Sequence, residues 1–351
     1  MTYPTRRSFL RFAGLATAGL SLGASRAWGQ AAANNEATAA DLVTPAAEKS
    51  IEKGLAYLAA RQNDDGSFGF GGYSRNVAVV ALGGMAFLSS GSTPGRGPYG
   101  TKVERALSYL LAAQDDTGFI TVPEAASHGP MYGHGFATLF LAEVYGMTPL
   151  SDVRERLAKA VKLIIETQNP DEGGWRYEPQ RVQPDISVTV CQIMALRAAR
   201  NAGIYVPHDT IEKSIAYVKR SQNADGGFMY MAEGGASAFP RSAAGVVALY
   251  SAGIYEGDEI KKGLDYLAKH APHNDAGADH FYYGQYYAVQ AMWQSGGEYW
   301  EKWYPAIRDT LVNRQRTDGS WTDENICPEY CTAMALLILQ MPNNYLPIFQ
   351  R

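Results

Sequence analysis

Two kinds of apolar run alternate along the chain. The first is one-sided: Ile51, Leu55 and Leu58, and again Ile211, Ile215 and Val218, recur at the spacing that places them on one face of a helix. The second is apolar at nearly every position. Residues 77–88, 136–145, 188–196, 243–249, 286–292 and 332–339 predict helices buried on most sides. Acidic turns such as Asn63-Asp64-Asp65-Gly66 and Asn223-Ala224-Asp225-Gly226 follow the one-sided runs and stop them. The alternation predicts hairpins, each with an amphipathic outer helix and a buried inner one.

The hairpins carry a repeated phrase: a small residue, an aromatic-apolar pair, Gln, then Gly and an aromatic. It reads Lys53-Gly54, Tyr57-Leu58, Gln62, Gly66-Ser67-Phe68; Ala106, Tyr109-Leu110, Gln114, Gly118-Phe119; Ala160, Gln168, Gly173-Gly174-Trp175; Ser214, Tyr217-Val218, Gln222, Gly226-Gly227-Phe228; and Gln315, Gly319-Ser320-Trp321. The Gln spacings are 52, 54, 54 and 93, and the long gap holds a worn copy, Lys262-Gly263, Tyr266-Leu267 and Gly277. Self-similarity at a fixed period means a repeat architecture. The expectation is an all-α fold, an α/α toroid of about six hairpins over 45–351. In it each Gln bonds free helix-terminal groups of a neighbouring hairpin, and the ring of the turn stacks over the Gln.

If the inner helices all start from the same end, their amino ends ring one mouth with partial positive charge. The polar residues entering them are the candidate site. Asp185, His134 and His280 are candidate acids or bases; Arg75, His128, Tyr132, Ser187, Arg241, Tyr283, Tyr286 and Glu329 are candidate ligand-binding residues. Each has a plainer reading as a helix cap or turn residue. The acidic turns lack the full ligand series of a calcium loop. Cys191, Cys327 and Cys331 have no strong zinc spacing, so neither metal nor cofactor is expected. Cys327 and Cys331 stand open between a local disulfide and two thiols.

The phrase resembles the QW repeat of squalene-hopene cyclases and the related repeat of protein prenyltransferase β subunits, over about Ile51 to Leu339. The closing segment 340–351 resembles exported planctomycete-type proteins with the same repeats. The resemblance implies the toroid fold and an apolar, isoprenoid-like ligand, and places two site motifs at 183–189. The cyclase pattern there is Asp-x-Asp-Asp-Thr, whose middle Asp protonates the polyene. This chain keeps Asp185 and Thr189 but has Ser187 at the acid position. The prenyltransferase zinc pair, Asp-x-Cys, meets Asp185 and the same Ser187, and its third ligand, a His, falls near Glu329. A hydroxyl neither protonates an alkene nor replaces a thiolate on zinc.

Thr5-Arg6-Arg7-Ser8-Phe9-Leu10, the apolar run to Ala24 and the small residues Ala27 and Gly29 form a twin-arginine export signal over 1–29. Residues 30–44 are a flexible leader. The expected location is the periplasm or outside the cell. Loss of 1–29 removes Arg6, Arg7, Arg11 and Arg26 and no acid, which takes the formal charge from -4 to -8. No basic stripe offers itself to nucleic acid. No mature segment reaches membrane-spanning length. Three readings of function follow. The first is a toroid that binds an isoprenoid-like ligand without the standard cyclase acid or zinc ligands; any chemistry would be of the terpenoid-cyclase or prenyltransferase kind. The second is a non-enzymatic scaffold for an envelope protein or peptide, of the kind complement-type thioester domains provide, although their Cys-Gly-Glu-Gln is absent. The third is a glycan-active (α/α)6 enzyme using a carboxylate pair such as Asp185 and Glu329.

Overall fold

The computed structural model describes residues 42–350 except 70, 126–127, 271–279 and 324–325. The export signal 1–29, the leader up to residue 41 and Gly277 lie outside the described residues. Among the described residues twelve α-helices follow one another: α1 Pro45–Arg61, α2 Val77–Ser89, α3 Gly100–Ala112, α4 Pro130–Val144, α5 Val153–Thr167, α6 Ile186–Asn201, α7 His208–Arg220, α8 Phe239–Ala252, α9 Asp258–Ala268, α10 Phe281–Ser295, α11 Gly297–Arg314 and α12 Pro328–Leu339. Odd-numbered helices are amphipathic and lie outside. Even-numbered helices are apolar around their circumference and nearly every residue in them is buried.

Each inner helix packs on the next, and α12 packs back on α2, while α11 meets α1 in the outer ring. The six hairpins therefore close into an α/α toroid, as the repeat predicts. Five of the inner helices begin up to two turns before the apolar runs that announce them. Pro130, Pro240 and Pro328 sit in the first turns of α4, α8 and α12, where a missing N–H costs nothing.

The repeated Gln is the tie between units. Its amide donates one hydrogen bond to the turn glycine's carbonyl and one to a carbonyl near the start of the next outer helix. Gln62 reaches Gly66 and Lys102, Gln114 reaches Gly118 and Arg156, Gln168 reaches Gly173 and Thr210, and Gln222 reaches Gly226 and Glu259. Gln315 closes the circle, donating to Gly319 O at 3.0 Å and to Ser50 O in α1 at 2.8 Å. The acceptors are helix carbonyls with a second lone pair to offer. This corrects the expectation of free terminal groups. The indole N–H groups of Trp175 and Trp321 bond back to their own outer helices at Ile164 O and Leu311 O.

The turn glycine has no substitute. Gly319 has φ +91, and a Cβ there would lie 2.6 Å from Lys53 O of α1. Gly66, Gly118, Gly173 and Gly226 meet Arg105, Lys159, Lys213 and Lys262 in the same way. The structure also corrects one register. In the second unit the residue two past the turn glycine is Ile120, fully buried, so Ile120 and not Phe119 occupies the place of Phe68, Trp175, Phe228 and Trp321.

The carboxyl end of the barrel is closed by the chain's own tail. Gln340 and Asn343 donate to Ala86 O and Ser89 O of α2, and Phe349 O accepts from Trp293 and Gln294 of α10. The short turn Pro347–Phe349 packs on α6. Burial pushes the Glu143 carboxyl of α4 up to about 8, although the backbone N–H of Ile348 bonds to it.

The closing tie is testable. Gln315→Ala leaves two buried carbonyl contacts unmade and is expected to cost about 1–3 kcal/mol. Gly319→Ala, which strains the turn against Lys53, is expected to cost more. Calorimetric melting checks both, and an unchanged Tm for Gly319→Ala would refute the account of the turn.

Candidate functional site

The amino ends of the inner helices do ring one mouth, and a cavity of about 480 Å³ opens there. Its wall comes from the first turns of these helices and from the loops leading into them: Asn76, Ala78 and Val79; Tyr132, Gly133 and Phe136; Ser187; Pro240 and Arg241; His280 and Tyr283; and Ile326 and Tyr330. Tyr73, His128, Tyr177 and Tyr230 complete it from the connecting loops. Six tyrosines and one phenylalanine dominate. Among the described residues that line it there is no carboxylate and no lysine.

The floor is a contact across the barrel. Phe136 of α4 meets Tyr286 of α10 edge-on, with ring centroids 6.2 Å apart. Tyr283 and Tyr287 flank that contact. Tyr283 donates to Ser187 O at 3.2 Å, and Tyr287 bonds the Cys191 thiol of α6. Burial holds the Tyr132, Tyr283 and Tyr330 phenols well above their ordinary range, so these pocket phenols stay neutral and keep their protons. On one side the Tyr177 and Tyr230 hydroxyls bond each other, with the Arg176 guanidinium 5.1 and 5.6 Å from their ring centres. Tyr73 bonds His128 Nε2 at 2.7 Å.

Six of the sequence candidates line this cavity: His128, Tyr132, Ser187, Arg241, His280 and Tyr283. Five do not, and each has another task. Tyr286 lies beneath, fully buried in the floor. Arg75, at φ +66, turns away into a surface groove beside Asp65, 3.6 Å from its carboxylate. Glu329 is buried against Arg61 Nε at 2.9 Å. Asp185 caps α6, taking the N–H groups of Ser187 and Val188 at 2.9 Å, with Arg176 Nε 3.7 Å from its other oxygen. Burial, partly offset by those bonds, pushes its carboxyl up to about 6.

His134 is the fifth, and its position explains itself through the repeat. The N–H of the residue in the aromatic place donates to a side chain early in the inner helix. Trp175 donates to Thr189 Oγ1, Phe228 to Ser242 Oγ and Trp321 to Thr332 Oγ1. Ile120 N donates to His134 Nδ1 at 3.1 Å. With Nδ1 accepting, Nε2 carries the proton and donates to Ala160 O at 3.2 Å. His134 is thus the turn acceptor of its unit, and burial lowers its pKa to about 4. Thr189 has the same task in its own unit.

Sequence reasoning missed Tyr73, Phe136, Tyr177 and Tyr230. A signal existed for two of them: Trp175-Arg176-Tyr177 and Phe228-Met229-Tyr230 place a tyrosine at the same step past the turn. All three cysteines are buried, with no disulfide among the described residues, and no group of three or more His, Cys, Asp or Glu among the described residues could hold a metal ion. No helix among the described residues is long and apolar enough to cross a membrane.

Known proteins can now be set beside this geometry. The family model of the prenyltransferase alpha-alpha toroid domain matches residues 33–176, and that of the squalene-hopene cyclase C-terminal domain matches 137–292. No curated protein matches the chain by sequence. Among solved structures, the type II terpene cyclase MstE from Scytonema aligns with a TM-score of 0.59 at 15% identity, over 86% of this chain and 99% of that one. A protein from Actinoplanes aligns at 0.57 and 16%, over 85% and 99%. An inactive variant of an alpha-1,6-mannanase from a Salegentibacter species, in complex with alpha-1,6-mannotriose, aligns at 0.60 and 9%, over 85% and 99%. At these identities the likeness is one of fold.

The buried His134 gives a pH test. The unfolded chain binds its proton near histidine's ordinary 6.5 and the folded chain only near 4, so stability falls as pH drops from 6.5 towards 4. His134→Thr, the residue type of the Thr189 and Thr332 positions, is expected to lower Tm at pH 7 yet flatten that acid limb. An acid limb as steep as the parent's would remove His134 from the account.

Proposed function

We propose that this chain, which carries the α/α-toroid repeat of the prenyltransferase and squalene-hopene cyclase family, binds an apolar, isoprenoid-like molecule in the mouth of the barrel without cyclising it by the family's acid. The carrying observation is the wall itself: six tyrosines and Phe136 around about 480 Å³, with no described carboxylate facing in. That volume is within the roughly 300–1,000 Å³ of small-molecule sites, and the mostly aromatic lining suits a long unsaturated chain. Ser187 stands where the cyclase acid would, and the Asp185 carboxyl is spent on capping α6. Hydrolysis of a glycan by a carboxylate pair lacks support for the same reason, since Asp185 and Glu329 are buried outside the cavity.

The test is mass spectrometry of small molecules extracted from the purified chain, with and without Val79→Trp. Val79 lines the cavity wall, so the larger ring fills part of it. The expected result is an isoprenoid-like or other lipid ligand in the parent and at least a tenfold loss in the variant, with the variant still folded. A parent free of apolar molecules, and unmoved in Tm by any isoprenoid offered, would end this reading.

We further propose that residues 1–29 direct the folded protein through the twin-arginine pathway to the periplasm or beyond. Replacing Arg6 and Arg7 with Lys is expected to leave the protein in the cytoplasm on cell fractionation. Unchanged export would refute that assignment.

A further inference from the structure

We infer that the ligand is an amphiphile with a single anionic head, a terpenoid or long-chain carboxylic acid, and that Arg241 is the residue that reads the head. This rests on the apolar-pocket reading above and adds a charge to it. The starting observation is an imbalance. Three other arginines near the mouth each have a carboxylate: Arg75 has Asp65 at 3.6 Å, Arg176 has Asp185 at 3.7 Å and Arg61 has Glu329 at 2.9 Å. Arg241 forms no ion pair among the described residues, although it lines the cavity. Its Nε donates to Phe228 O at 3.0 Å and one terminal nitrogen to Ala236 O at 2.5 Å.

Those two carbonyls do two things. They fix the guanidinium at the first turn of α8, so little side-chain freedom remains to be lost when a ligand binds. They also use two of its five N–H groups, leaving three for a ligand. A fixed cation on the wall of an apolar cavity, with no carboxylate among the described lining residues, favours an anion there, and arginine's planar fork matches a carboxylate. The charge is single because the described lining offers one arginine and no lysine, and His128 Nε2 is already engaged by Tyr73. A diphosphate would bring more negative charge than this wall can neutralise. With the head at Arg241, the chain extends past Tyr283 towards the Phe136–Tyr286 floor.

The experiment measures binding of farnesoic acid, farnesol and farnesyl diphosphate to the full-length chain, to Arg241→Met and to Arg241→Gln. The three probes share one apolar chain and differ in head. In the parent the acid is expected to bind about tenfold tighter than the alcohol. In both variants that preference is expected to disappear while the alcohol's Kd stays within about twofold. Arg241→Gln retains an N–H for the Phe228 and Ala236 carbonyls, so if Arg241→Met fails to fold, the Gln variant and the parent decide. Equal binding of acid and alcohol by the parent, a diphosphate tighter than the acid, or a preference that survives both substitutions would overturn the inference and leave the apolar pocket standing. Binding of none of the three would overturn the pocket reading itself.

Discussion

A side-chain amide with two N–H groups, placed at the end of every clear outer helix, is what the rest of the molecule depends on. One N–H secures the turn and the other reaches into the next unit. Because Gln315 finds Ser50 as Gln62 finds Lys102, the same local rule that joins neighbours also joins the last unit to the first. The turn glycine brings the two backbones close enough for this, and the small residue Gly54 makes room for the Trp321 ring. A Cβ on Gly54 would lie 2.7 Å from the Trp321 ring. At the junction between α9 and α11 the corresponding Gln is missing. There Tyr299 donates to Asp265 at 2.5 Å and Phe239 stacks on Trp303 with centroids 5.9 Å apart. Aromatic packing holds the one junction where the amide was lost.

The ring geometry creates the site as a by-product. Inner helices that all run the same way gather six amino ends at one mouth, and their first turns need not be apolar because they rim a cavity. Chemistry and capping compete for the same few residues there. Asp185 and Thr189 show how that competition ended. Both hold the scaffold: one caps α6 and the other accepts the Trp175 N–H.

The architecture was legible in the sequence because five units carry the same Gln and turn glycine, and four of them the same buried aromatic, so the requirement is written five times and once more faintly. Register was less legible. Phe119 looked like the aromatic of its unit, but burial is decided by the step from Gly118, and that step lands on Ile120. Helix starts were read late because the first turns, with Tyr132, Arg241 and Tyr283, are polar or aromatic and interrupt the apolar pattern. Of the candidate site, the residues that face the mouth were identified by position. Those that do not, such as His134 and Glu329, could not be separated from them, since a polar residue near a helix start serves as a cap or a wall according to where it points. Tyr73 came from a loop whose path no periodicity describes.

The tail and the closing Gln together fix when this protein can finish folding. The carboxyl-terminal residues 340–349 seal the barrel against α2, α6 and α10, and the contact between Gln315 and Ser50 spans 265 residues. Contacts of such separation form slowly. The drum stays unsealed until Gln315 has been made and has reached α1. Ring closure is therefore a late event in folding, and until then the first outer helix presents its apolar face to whatever in the cell attends nascent chains.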